Sequence, residues 1–335
     1  MQAAIYGFAG EALTSDERAF FRDADPAGYI LFRRNISSLD QLQALTAELR
    51  ALHGRGDLPI LIDQEGGRVA RMRPPVWPAF PPAWTFAELY ARAPMTAIQA
   101  ARTNAQAIAA MLRDAGVNVD ALPLLDVRQE GADDIIGDRA LGAEPMQVAA
   151  LGRAVLDGLA AGGVVGIVKH IPGHGRSAVD SHKELPVVRA AAEDLETDIA
   201  PFRTLKDAAM GMTAHVVYTA WDPEHPASHS AKVIGDIVRG RIGFGGFLMS
   251  DDIGMHALTG SFTERTERAL AAGCDSALHC SGDLAEMVAT ANGAAPLTAE
   301  AKERLARAMK IAAAPFEGRS YAELIDTRDR LIAAA

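Results

Sequence analysis

Between residues 169 and 182 the chain reads KHIPGHGRSAVDSH. Pro172, Gly173 and Gly175 keep this stretch from being a regular helix or a paired strand. It nevertheless carries three histidines, an aspartate and a lysine. His170, His174, Asp180 and His182 are all metal-ligand types, but a His-x-x-x-His spacing aligns two imidazoles only on a helix, which Pro-Gly forbids here. A metal site is therefore not expected. Asp180, Ser181 and His182 are the residue types of a hydrolase triad, yet a triad is an arrangement in space that three consecutive residues do not readily adopt. A pair is the better local reading. The Asp180 carboxylate holds one ring nitrogen of His182, fixes its tautomer and raises its pKa toward neutrality or above. That makes His182 a proton shuttle, while other histidines of the loop are free to hydrogen-bond the loop to itself.

Two further stretches carry chemistry. In SDD (250–252) two carboxylates follow an apolar run and suit a nucleophile, a base or a metal ligand. Aspartate is equally at home as a helix N-cap, and position alone does not decide between the readings. In DQEGGRVARMR (63–73) the Gly66-Gly67 pair permits a tight turn near a ligand. There Asp63, Arg68 and Arg71 offer hydrogen bonds suited to hydroxyls or carboxylates. The alternative is a charged surface loop held by its own ion pairs. The stretch is neither a dinucleotide fingerprint nor a phosphate-binding Walker loop.

These residues need elements to position them. Short β-branched or apolar runs read as strands at 28–32, 59–63, 117–123, 164–170, 211–217, 246–252 and 275–280, with a weaker one at 3–8. Helical periodicity occupies 38–53, 96–115, 145–161, 191–208, 231–238, 263–272, 282–291 and 298–311. About eight strands alternating with helices in 335 residues predicts an α/β fold, a (β/α)8 TIM barrel in a single domain over 1–335. A doubly wound sheet is the runner-up. The stretch RPPVWPAFPPAW (73–84) is too apolar for a linker and reads as a packed loop. A barrel places its active site where strands end and βα loops begin. The polar clusters fall there: 63–73, 126–139, 169–182 and 250–252.

Net charge is −10 with no Lys/Arg run, so nucleic acid and anionic membranes are not expected partners. Cys274 and Cys280 are too few for a disulfide scaffold or a zinc site and read as reduced, mostly buried thiols. No segment has 18 uninterrupted apolar residues, and MQAAIYGFAGEAL has no basic n-region before a long apolar stretch. A cytoplasmic protein is expected.

KHIPGHGRSAVDSH resembles the K-H-[FI]-P-G-H-G-x4-D-S-H signature of the bacterial β-N-acetylglucosaminidases of glycoside hydrolase family 3. DQEGGRVAR, IIGDRALG and MSDDIGM match the same family in the same order, and the resemblance spans roughly residues 1–295. It implies that Asp251 is the nucleophile, His182 the acid/base and Asp180 the carboxylate paired with it. Asp63, Arg71, Arg139, Lys169 and His170 match positions that hold the sugar's hydroxyls, and Arg68, His174 and Asp252 match supporting residues. It implies a small carbohydrate or muropeptide substrate and a place in cell-wall recycling; no cofactor is expected, and a monomer is the default, since the sequence does not fix the oligomeric state. The helical segment from about 300 to 335 is left without a function.

The expected reaction is retaining hydrolysis through a glycosyl-aspartate. Alternatives are a phosphorylase or a broader-specificity β-glycosidase on the same fold, substrate-assisted hydrolysis by the acetamido oxygen, and a non-catalytic sugar-binding protein or metal-dependent hydrolase. Two-carboxylate retaining enzymes hold their groups about 5–5.5 Å apart. An acid/base on a Gly/Pro-rich flap is expected well beyond that distance from Asp251 without ligand.

Overall fold

The computed structural model describes residues 1–177, 179, 181, 184–314 and 319–334. Eight parallel strands close into a barrel: β1 (Gln2–Tyr6), β2 (Pro26–Leu31), β3 (Ile60–Ile62), β4 (Val119–Asp120), β5 (Val165–Ile171), β7 (Met210–Thr213), β9 (Phe247–Asp252) and β10 (Ser276–His279). The closing seam sets Ala4 opposite Ala277 and Ile5 opposite Leu278. A separate two-stranded piece pairs β6 (Val187–Val188) with β8 (Val217–Tyr218). The helices are α1 (Ser15–Ala24), α2 (Leu39–His53), α3 (Ala83–Arg92), α4 (Pro94–Asp114), α5 (Pro145–Ala161), α6 (Glu196–Thr204), α7 (Phe262–Ala272), α8 (Leu284–Gly293), α9 (Ala299–Ala313) and α10 (Tyr321–Ala333). A π-type helix spans Val233–Ile242. The (β/α)8 barrel is the fold expected from the strand and helix alternation.

The alternation of side chains along each strand separates two cores. Ile5, Ile30, Leu61, Val119, Val165, Ile167, Met210, Phe247 and Met249 point inward and fill the barrel. Their neighbours Tyr6, Tyr29, Ile60, Val164, Val168 and Leu248 face out against the helices. Leu305, Ala308 and Met309 of α9 belong to the inner core. Part of the segment left without a function therefore has a structural task, completing the barrel interior, and α10 lies against α4.

Three helices lie outside the periodic stretches, although α10 falls within the helical segment expected over 300–335. α1 announces itself by a capping box instead, Thr14 with Glu17, and seats Phe21 edge-on against Tyr29 at 4.8 Å. α3 begins inside the Pro-rich stretch, whose Trp77 and Phe80 are buried as expected of a packed loop. α10 has its own capping box, Ser320 with Glu323. The strand expected over 117–123 is shorter, Val119–Asp120, because Leu122 turns back to donate to the Asp120 carbonyl. The one expected over 211–217 divides into β7 and β8, with His215 at the break.

Candidate active site

The apolar residues Phe247, Leu248 and Met249 hold β9 in the wall and deliver Asp251 and Asp252 to its C-terminal end. The strand end is fixed on all sides. Ser250 Oγ donates to the Asp251 carbonyl at 2.7 Å and accepts from Leu278 N–H at 3.1 Å. Asp251 Oδ1 accepts from the Asp252 N–H at 2.8 Å. Asp252 Oδ1 accepts from Gly254 and Cys280 N–H groups at 2.9 and 3.2 Å. Helix α7 begins at Phe262 with Ser261 as its cap, so neither aspartate serves as the N-cap that position alone allowed.

On the β3 side, Asp63 accepts from Lys169 Nζ and Arg71 Nη2, each at 3.0 Å. Burial opposes a charge on Asp63, but Lys169 and Arg71 outweigh it and hold its carboxyl well below the usual carboxylate range. The chain then turns sharply, Glu65 and Gly66 N–H both donating to the Val69 carbonyl. Gly66 sits at φ +94°, and a Cβ there would lie 2.4 Å from the Pro81 carbonyl oxygen. That turn sends Arg68 to Asp138 Oδ1 at 2.8 Å and to the Asp134 and Ile135 carbonyls at 2.7 and 2.8 Å. Arg68 thus staples the loop after β4, which carries Arg139.

On the β5 side, Lys169 is 2 % exposed and His170 follows it at the strand end. His170 Nδ1 lies 2.7 Å from Asp126 Oδ2, and Asp126 Oδ1 accepts from the His170 and His174 N–H groups at 3.2 and 2.6 Å. Burial disfavours the charge of Asp126, yet His170 and the N–H donors bring its pKa down to about 2. The pKa of His174 is lowered as well, to about 4, because burial and the neighbouring His170 disfavour its imidazolium. Its Nε2 faces Ser181 Oγ at 3.3 Å. The expected acid/base pair, Asp180 and His182, lies outside the described residues, and so does its expected distance from Asp251.

A cavity of about 280 Å³ opens at the strands' C-terminal ends. Asp63, Arg68, Arg71, Arg139, Lys169, His170, His174, Asp251 and Asp252 all line it. Residues that lie 188 positions apart in sequence, Asp63 and Asp251, thus face one space. Ile30, Phe32, Met212, Met255 and Leu278 supply apolar wall between the polar groups. Among the described residues no three His, Cys, Asp or Glu side chains are grouped to hold a metal ion.

Three functional neighbours were missed. Glu65 forms a two-pronged ion pair with Arg139, both contacts at 2.8 Å, and lies 2.7 Å from Lys169 Nζ. Its signal was present as a second carboxylate two residues after Asp63. Asp126 had its signal in a carboxylate leaving a strand through DALPLLD. His215, buried at the β7 exit, places Nε2 2.9 Å from the Asp252 carbonyl and Nδ1 2.7 Å from Ser228 Oγ. A lone histidine in an apolar run gave no reason to choose it.

A closed eight-stranded parallel barrel with its charged cavity at the C-terminal mouth is the architecture of a (β/α)8 enzyme. Residues 7–310 match the glycosyl hydrolase family 3 N-terminal domain. A beta-hexosaminidase of Bordetella avium is 39% identical over 92% of this chain and 88% of its own length. One from Aromatoleum aromaticum is 41% identical over 81% of this chain and 77% of its own. The crystal structure of NagZ from Neisseria gonorrhoeae in complex with N-trifluoroacetyl-D-glucosamine superposes with a TM-score of 0.88 at 31% identity, covering 98% of each chain. The chain belongs to glycoside hydrolase family 3. No described helix is long and apolar enough to cross a membrane.

Proposed function

We propose that this chain is a retaining exo-β-N-acetylglucosaminidase. It releases N-acetylglucosamine from β-1,4-linked N-acetylglucosaminyl-anhydro-N-acetylmuramic acid, with or without its peptide. Its relatives' activity supports the sugar, and cell-wall recycling in the cytoplasm is the process to which the resemblance assigns it. The observation that carries the reading is Asp251 on a rigid strand end, opening onto the same small cavity as Asp63, Arg71, Arg139, Lys169 and His170. About 300 Å³ is the lower end for small-ligand clefts, in keeping with one sugar held at a chain end.

In this mechanism the carboxylates and cations around Asp63 grip the hydroxyls and set the anomeric carbon before Asp251. Asp251 attacks as the glycosidic bond breaks, and His182, protonated with the help of Asp180, gives its proton to the departing oxygen. Neutral His182 then takes a proton from water, which displaces Asp251 and leaves the sugar with retained configuration. Apolar Met212, Met255 and Leu278 narrow the space for bulk water. Turnover of nitrophenyl N-acetyl-β-glucosaminide against nitrophenyl β-glucoside, by wild type and His182→Ala, tests the reading. The N-acetylglucosaminide is the better substrate and the variant loses on the order of 10²–10⁴-fold in rate. Preference for the glucoside, or an unimpaired variant, contradicts it. Added phosphate with analysis for sugar 1-phosphate separates hydrolysis from phosphorolysis.

A further inference from the structure

We infer that Glu65 is a positioning residue, whose carboxylate bridges Arg139 and Lys169 and fixes both cations at the wall that receives the sugar's hydroxyls. The inference rests on the cavity being the glycosidase site. Arg139 and Lys169 line that cavity, whereas Glu65 does not and stands behind them with 3 % of its side chain exposed. Both of its oxygens are used: Oε2 accepts from Arg139 Nε, and Oε1 accepts from Arg139 Nη2 and faces Lys169 Nζ at 2.7 Å. Its backbone is pinned by the Glu65 N–H bond to the Val69 carbonyl.

The donor inventory shows what this leaves for a ligand. Lys169 has three N–H donors. Asp63 and Glu65 take one each, which leaves one. Arg139 has five. Glu65 takes two and the Ile135 carbonyl one, which leaves two. Two buried cations on one wall repel each other, and Glu65 lies between them as the counter-charge. Burial works against that charge, but Arg139 and Lys169 bring Glu65 down to about 2, so it is anionic at any working pH. Asp120 does not stand in for it: its Oδ1 accepts from the Gln64 N–H, and burial pushes its carboxyl well above the usual carboxylate range. The groups facing Lys169 are then Asp63 and Glu65 from the β3 exit, Arg139 from the loop after β4 and Asp120 from β4 itself.

The test compares Glu65→Gln and Glu65→Asp with wild type on nitrophenyl N-acetyl-β-glucosaminide. Glu65→Gln keeps the shape but removes the charge. KM rises at least about tenfold while kcat falls less, because the cations that hold the sugar lose their shared counter-charge and the reacting groups do not. Glu65→Asp keeps the charge and recovers part of the KM. Wild-type KM in Glu65→Gln, a fall in kcat as large as the rise in KM, or a Glu65→Asp no better than Glu65→Gln overturns the inference. If only Glu65→Asp folds, raised KM with kcat little changed supports it and wild-type KM overturns it. If neither folds, the role is structural and the inference fails. Wild-type turnover of the probe tests the proposed function separately; should another aryl glycoside be preferred, the same ratios are read on that one.

Discussion

Lys169 Nζ lies 3.0 Å from Asp63 Oδ1, joining the exits of β5 and β3 across 106 residues of sequence. The Lys169 side chain is only 2 % exposed and that of Asp63 15 %, where it lines the cavity. Asp63→Asn leaves Lys169 short of one counter-charge and unties Arg71. Glu65 still faces Lys169 at 2.7 Å, so the expected outcome is a loss of about 1.5–3 kcal/mol of stability, that of a charge-assisted hydrogen bond. Turnover falls with it, on the order of 10²-fold. Thermal unfolding and steady-state kinetics of the one variant read both effects.

Asp126 orients His170 by taking its Nδ1 at 2.7 Å, and the same carboxylate ties down the His174 N–H. Asp126→Asn presents a donor where the imidazole needs an acceptor. Loss of a charge-assisted hydrogen bond of about 1.5–3 kcal/mol lowers kcat/KM by roughly 10–100-fold. The measurement is kcat/KM of Asp126→Asn beside that of His170→Ala, which the variant approaches.

His174 gives stability a pH dependence of known sign. Its folded pKa is about 4, against about 6.5 in the unfolded chain, because burial and His170 disfavour the imidazolium. Between those values the unfolded state binds a proton that the folded state does not, so stability falls as pH drops from about 6.5 to 4. The contribution is on the order of 3 kcal/mol at full loss. Denaturant midpoints from pH 7 to pH 4 show the decline, and it is shallower in His174→Gln, where buried His215 and His229 still contribute with the same sign.

Gly66 is required by its backbone. At φ +94° with the Pro81 carbonyl 2.4 Å from any Cβ, alanine suffers both torsional strain and a backbone clash. Gly66→Ala destabilises by roughly 2 kcal/mol and loosens the turn that carries Arg68 and Arg71. Gly56 is a matched control, since nothing lies within 4 Å of a Cβ there. Gly56→Ala leaves the unfolding midpoint within a few tenths of a kcal/mol.

The barrel was legible because eight apolar runs alternate with helix-periodic ones, a pattern that survives errors at the element ends. α1 and α3 were missed because they are short and α3 follows prolines; α1 and α10 carry capping boxes, whereas α3 has no side-chain cap. Asp63, Arg139 and Asp251 were legible as polar residues at strand exits, where a barrel's mouth must be. Glu65 and Asp126 fall in the same strand-exit clusters, but their roles, like that of His215, were not legible because they act through partners that are distant in sequence. Glu65 meets Arg139 across 74 residues and His215 meets the Asp252 carbonyl across 37, and spacing carries no trace of such pairings.

The central claim is that Asp251 becomes covalently attached to the sugar. A slow, activated fluorosugar donor of N-acetylglucosamine, followed by peptide mapping of the labelled protein, tests it directly. The account predicts a single glycosyl mass increment on the peptide containing Asp251, absent from Asp251→Ala. An increment on another residue, or consumption of the donor through an oxazoline with no labelled protein, would contradict it.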